Sequence, residues 1–171
     1  MRLYFTVLLF VATLWCCCPA QASTSREREQ AEYYVSAFAQ HYGVPLALVR
    51  SVVQQESAWH ACTTSPKGAV GLMQLMPQTA KRLGVTNRCD IRENVSGGVR
   101  YLAWLIRLFH GDLRLVAAAY YAGEQVVAKR GLSYGNPDVV AYVAHVREAF
   151  ARRQAADATK PQSISRRTRT R

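Results

Sequence analysis

The stretch that decides the fold is VRSVVQQESAWHACTTSPKGAVGLMQLMPQTA, Val49 to Ala80. Leu48, Val49, Val52 and Val53 recur at the spacing that puts apolar residues on one face of a helix. Glu56 falls on that same face, three residues past Val53 and seven past Val49. A carboxyl group thus occupies a slot where the pattern calls for a core residue. Facing the core near a helix C-terminus, it has its anion disfavoured by desolvation and by the negative end of the helix dipole, which makes it a candidate general acid. The competing reading is a plain solvated glutamate at a helix end.

Outward from this segment nearly every stretch reads helical, so the fold class is all-α. Tyr34, Phe38 and Tyr42 lie four apart within a helix over 31–42, closed by Gly43. Pro45 opens the helix over 46–59 that carries Glu56. Ser65-Pro66-Lys67-Gly68 reads as a turn and Pro77 as the start of a short helix. Asn94 to Phe109 is strongly apolar along Val95, Val99, Leu102, Leu105, Ile106 and Phe109, and Gly97-Gly98 is expected to let another helix pack close. Asp112 caps a helix through Ala122 that Gly123 ends, and Pro137 begins a last helix toward Phe150.

The 171 residues suit one domain with short appendages. Arg2, an apolar run from Leu3 to Trp15 and the small-residue site Ala20-Gln21-Ala22 read as a signal peptide over residues 1–22, cleaved after Ala22, with a periplasmic destination. The run is short of the about 20 apolar residues that a spanning helix needs. Cys16, Cys17 and Cys18 hint at a lipoprotein, but the bulky Trp15 before them argues against one.

Cys62 and Cys89 remain as an even pair in an exported chain, which reads as a disulfide, with two buried free thiols as the alternative. Neither has a partner at zinc-like spacing, and the four histidines are scattered, so no metal and no cofactor is expected.

The net charge is +11, and much of the excess sits in the last twenty residues, where seven Lys or Arg face Asp157 alone. Residues 154–171 read as a basic disordered tail and 23–153 as the folded domain. Nucleic-acid binding ranks below a solubilising role or contact with anionic envelope polymers for such an exported tail.

Several blocks then resemble, in register, the lytic transglycosylases of the soluble-lytic-transglycosylase (SLT, goose-lysozyme-like) type. They are Glu56-Ser57, Ser65-Pro66, Gly68-Ala69, Gly71-Leu72-Met73-Gln74, Met76-Pro77 and Thr79-Ala80. Asn94-Val95 with Gly98 and Tyr101-Leu102 is similar to the family's Asn-Ile-x-x-Gly-x-x-Tyr-Leu. Ala119-Tyr120-Tyr121-Ala122-Gly123 is similar to Ala-Tyr-Asn-Ala-Gly, and Tyr142-Val143 with Val146 to the closing Tyr-Val-x-x-Val.

The resemblance implies a lysozyme-like single domain acting as a monomer on peptidoglycan glycan strands, without a cofactor. It implies Glu56 as sole catalytic acid and base. Ser65, Met73, Gln74, Met76, Tyr120 and Tyr121 would lie along the saccharide groove, and Tyr142 would approach the carboxyl from the last helix. By helical spacing alone the Met and Tyr residues read as core. Tyr121 stands where the family usually has Asn, Val95 where it has Ile, and Asp138-Val139 where many members have Glu-Thr. The small size resembles the branch that opens the wall for secretion or conjugation machines. A lysozyme-type hydrolase and a non-catalytic wall-binding assembly factor are the competing classes.

Overall fold

The structure, a computed structural model, describes residues 20–133 and 135–159. Apart from its last three positions, the expected signal peptide lies outside the described residues, as does the tail from residue 160 on. Among the described residues seven α-helices follow one another: α1 (Ala20–Tyr42), α2 (Leu46–Ser57), α3 (Pro77–Arg82), α4 (Ile91–Leu108), α5 (Leu113–Ala122), α6 (Glu124–Arg130) and α7 (Pro137–Thr159). A single 3₁₀ turn, Gly131–Ser133, joins α6 to the loop before α7. Among the described residues the only β-pairing is two isolated antiparallel bridges, Thr64 with Val70 and Val70 with Leu75.

The helices start and stop for local reasons. Asp90 caps α4 by accepting the Glu93 N–H at 2.8 Å, and Glu93 reaches back to accept the N–H of Thr86 and Asn87. This cap places the start of α4 at Ile91, three residues before the start read from the apolar pattern, because capping acts upstream of the first buried residues. Asp112 likewise caps α5, accepting the Arg114 N–H at 2.9 Å. At the other end of α2, Ala58 takes a left-handed conformation and its N–H closes onto the Gln54 carbonyl.

One core unites the helices. Val35 and Ala39 of α1, Leu48, Val49, Val52 and Val53 of α2, and Val95, Val99, Leu102 and Leu105 of α4 are buried together with Val116 to Ala119, Val139 and Val146. Helix α1 lies against α4, while α2 and α5 both pack on α7. A smaller cluster of Leu75, Ala80 and Val85 sits under α3.

Two expectations need correction, and one helix goes unread in the sequence. Helix α6 has no counterpart in the apolar pattern, because in its seven residues only Val127 is buried. The last helix runs through Thr159, past Gln154 where composition places the start of the tail, and residues 154–159 ride on it exposed to solvent. Gly97 and Gly98 make room for a loop rather than a helix. A Cβ on Gly98 would lie 2.4 Å from Met73 Sδ, and one on Gly97 would lie 2.5 Å from Val85 Cγ2.

Candidate active site

Glu56 sits one residue before the end of α2, half-buried, and lines a cavity of about 340 Å³. The apolar periodicity that aims Val52 and Val53 into the core aims Glu56 at the edge of that core. Burial raises its pKa from 4.5 to about 7. Against that, the Tyr142 hydroxyl donates to Glu56 Oε1 at 2.5 Å and pulls the value down. Tyr142 comes from α7, and its own ionisation is pushed well above the usual value, first by burial and then by the nearby Glu56 charge. At neutral pH this carboxyl can therefore hold a proton or release it.

A loop from Ala58 to Met76 forms the rim. Its backbone is turned by positive φ at Ala58, Trp59, Gly68, Gly71 and Gln74. The Ser65 hydroxyl oxygen accepts the Ala69 N–H at 3.0 Å, closing the turn that carries Lys67. The Gln74 amide donates to the carbonyls of Thr63 at 3.0 Å and Gly71 at 2.9 Å. Cys62 and Cys89 are joined as a disulfide, with their Cα atoms 4.7 Å apart, which ties this loop to the segment before α4.

Ser65, Gln74, Met76, Tyr120 and Tyr121 line the Glu56 cavity. Met73 does not. Its side chain is fully buried under Gly98, because the loop needs an apolar anchor there, and what it offers Tyr120 is its carbonyl, which accepts the Tyr120 hydroxyl at 2.7 Å. Tyr142 is buried too and meets the cavity through its hydroxyl on Glu56 and its ring against Tyr121, with centroids 4.9 Å apart.

An adjoining cavity of about 520 Å³ shares Gln74, Met76, Tyr120 and Tyr121 and continues the cleft past Tyr101 to Glu124. Here Glu124 pairs with Arg82 at 2.6 Å and accepts the Tyr101 hydroxyl at 2.8 Å. Arg82 is the main cause that lowers the Glu124 pKa, so this second acid is held as an anion and its charge is already answered.

Sequence reasoning placed Asn94 in a family block but gave no role to this residue, which shapes the loop. Asn94, fully buried on α4, donates to the carbonyls of Val70 and Arg88, both at 2.9 Å, and accepts the Met73 N–H at 2.8 Å. Gly71 packs directly on it, where a Cβ would lie 2.2 Å from Asn94 Nδ2. The available signal was an amide side chain among the apolar residues that open the long helix. Among the described residues no group of His, Cys, Asp and Glu could hold a metal ion.

Residues 33–142 match the Transglycosylase SLT domain family along most of the chain. The chain belongs to that family. It is 44% identical over 89 residues to the transglycosylase of Enterobacteria phage PRD1, a match that takes in 52% of this chain and 33% of the phage protein. Over 84 residues it is 44% identical to the membrane-bound lytic murein transglycosylase F of Thiobacillus denitrificans, covering 46% of this chain and 18% of that one. It thus spans a third or less of the relatives it matches.

Among solved structures, this SLT domain is similar to the 70-kDa soluble lytic transglycosylase in complex with bulgecin A. The TM-score is 0.67 at 26% identity, over 78% of this chain and 25% of that one. It is also similar to the soluble lytic transglycosylase of Escherichia coli, with a TM-score of 0.65 at 26% identity, over 78% and 25% of the two chains. The lysozyme-like all-α fold expected from the resemblance accords with both.

Proposed function

We propose that this SLT domain is a peptidoglycan lytic transglycosylase that cleaves the β-1,4 bond between N-acetylmuramic acid and N-acetylglucosamine, with Glu56 as the single acid and base. The observation that carries the reading is a carboxyl, poised near pH 7 by burial, in a cavity where no other acid is found among the described lining residues. Two-carboxylate glycosidases need a second acid about 5 Å or about 6.5–9.5 Å from the first. Glu124 lies in the adjoining cavity, with its charge held by Arg82 and Tyr101.

In this reading the protonated Glu56 gives its proton to the leaving glycosidic oxygen as the C–O bond breaks. The neighbouring N-acetyl group of the muramic sugar stabilises the positive centre at C1. Glu56, now a carboxylate supported by the Tyr142 hydroxyl, takes the proton of the sugar's 6-hydroxyl, and that oxygen bonds to C1. The product is a 1,6-anhydro sugar, formed without net consumption of water.

A relative named as membrane-bound and murein-directed supports an envelope setting. With the exported leader read from the sequence, we place the protein in the periplasm, acting as a monomer on glycan strands. Among the described residues no helix is long and apolar enough to cross a membrane. The cellular role we propose is local wall opening for a secretion or conjugation apparatus.

The test is zymography on purified peptidoglycan with wild type and Glu56→Gln, coupled to mass spectrometry of the released fragments. Wild type should clear and release anhydro ends, while Glu56→Gln should lose at least about a hundredfold in rate. Equal clearing by both proteins overturns the mechanism. Reducing ends in place of anhydro ends would make the protein a lysozyme-type hydrolase.

A further inference from the structure

Tyr121 is 41% exposed, although it follows the buried Val116 to Ala119 segment of α5. Its ring packs on the ring of Tyr142 on one side, with centroids 4.9 Å apart, and lines the Glu56 cavity. Lys67 stands over the same ring, its Nζ 5.9 Å from the centroid. Its position is set by the turn that Ser65 closes through the Ala69 N–H and through the Gly68 N–H on the Ser65 carbonyl. Lys67 is the only cation among the described residues lining this cavity, and no ion pair holds it among those residues.

An ammonium group placed over an aromatic face gains a modest attraction and keeps most of its donors in solvent. Packing on Tyr142 fixes the height of the Tyr121 ring, so a large, stiff apolar surface is presented at little entropic cost. The two side chains differ in what they can recognise. A tyrosine face suits the apolar face of a pyranose ring and is indifferent to its charge. The ammonium suits an anion and contributes little to a neutral sugar. On one wall of one cavity they complement a sugar ring that bears a carboxylate on a substituent.

We infer that Lys67 and Tyr121 form a specificity element for a carboxylate carried by the sugar seated beside Glu56. Tyr121 takes the ring and Lys67 reads the acid. This rests on the reading of the cleft as a glycan site and adds to it a discrimination between acidic wall strands and neutral polymers of N-acetylglucosamine. Asparagine at position 121 would offer hydrogen bonds but neither the face nor the perch for Lys67. On muramic acid the carboxylate can be the free lactyl acid itself or an acid of an attached peptide, and the chemistry asked of Lys67 is the same.

The test uses the full chain with Glu56→Gln, which stops turnover, and titration calorimetry at low and high salt. The ligands are chitotetraose, a glucosaminyl-muramyl tetrasaccharide with free lactyl acids, and the same tetrasaccharide with peptide on each lactyl group. At low salt the acidic ligands should bind about fivefold tighter than chitotetraose, within the range of one partly exposed charge-assisted contact. That gap should narrow as salt is raised. Adding Lys67→Gln should erase the gap, and Lys67→Arg should keep it. Tyr121→Ala should weaken all three ligands, and Tyr121→Phe should restore them.

An advantage confined to the free-acid ligand identifies the lactyl carboxylate as the group read. One confined to the peptide ligand identifies a stem carboxylate. A gap that survives Lys67→Gln, or equal losses for charged and neutral ligands, overturns the assignment while leaving the glycan site standing. Failure of all three ligands to bind overturns both.

Discussion

At Glu56 two influences oppose each other. Burial raises the carboxyl pKa from 4.5 to about 7, and the Tyr142 hydroxyl, donating at 2.5 Å, favours the anion. An acid that must protonate a leaving group works only while it keeps its proton, so the rate should fall on the alkaline side with a midpoint near the raised value. Removing the hydroxyl removes a donor that stabilises the charged form, so the pKa rises further. Tyr142→Phe should therefore move the alkaline midpoint upward by about one pH unit, as expected for loss of one hydrogen bond to a charged group. The same variant should turn over more slowly at pH 6, since the carboxylate that recovers the second proton has lost its support. A pH–rate profile on soluble muropeptide checks this. A midpoint that stays put or moves down would show that Tyr142 does not act on the carboxyl.

Among the elements, the rim loop depends most on another part of the chain. Between α2 and α3 the only β-pairing is two isolated bridges, and a buried amide from α4 supplies two of the loop's hydrogen bonds and a third to Arg88 in the segment before α4. Asn94→Ala leaves the Met73 N–H and the carbonyls of Val70 and Arg88 without those partners in a buried setting. The cost should be about 3 kcal/mol or more, measured by urea unfolding. Hydrogen exchange should speed up at Met73 and Leu75 while α1 and α7 stay protected, and uniform loosening of the whole chain would contradict the local role. This loop also marks the limit of what the sequence discloses. The faces of α2, α4 and α5 follow from apolar spacing because burial and helical period coincide at Val49, Val53, Val95, Val99 and Val116. Glu56 stood out for the same reason, as a carboxyl on such a face. Asn94 did not, because a side chain that bonds to backbone far along the chain leaves no period behind it. Nor did Met73 disclose that it is an anchor, since motif register cannot separate a side chain that faces the groove from one that faces Gly98. Helix α6, with one buried residue, had too little apolar pattern to announce itself.

For the whole molecule, α1, α2, α4, α5 and α7 share one core, while the rim of the cleft is fastened to it by Asn94 and by the Cys62–Cys89 bridge. The two cysteines are 27 residues apart in sequence, and both are exposed. The bridge therefore adds little to packing and acts by restricting the unfolded chain. For a loop of this length the entropy model gives about 3.5 kcal/mol. Replacing both cysteines by serine should lower the melting temperature by roughly 7–14 °C for a domain of this size. The helical signal at 25 °C should survive, because the shared core does not contain the bridge. Circular dichroism melts of the wild type with and without reductant should reproduce the difference, as the reduced wild type and the double serine variant share the same unconstrained loop. Agreement between those two melts, both below the oxidised protein, supports a bridge that fastens the rim to a self-sufficient helical body. A melting temperature unchanged by reductant would mean that the bridge does not constrain the unfolded chain, and loss of helix at 25 °C would mean that the body depends on it.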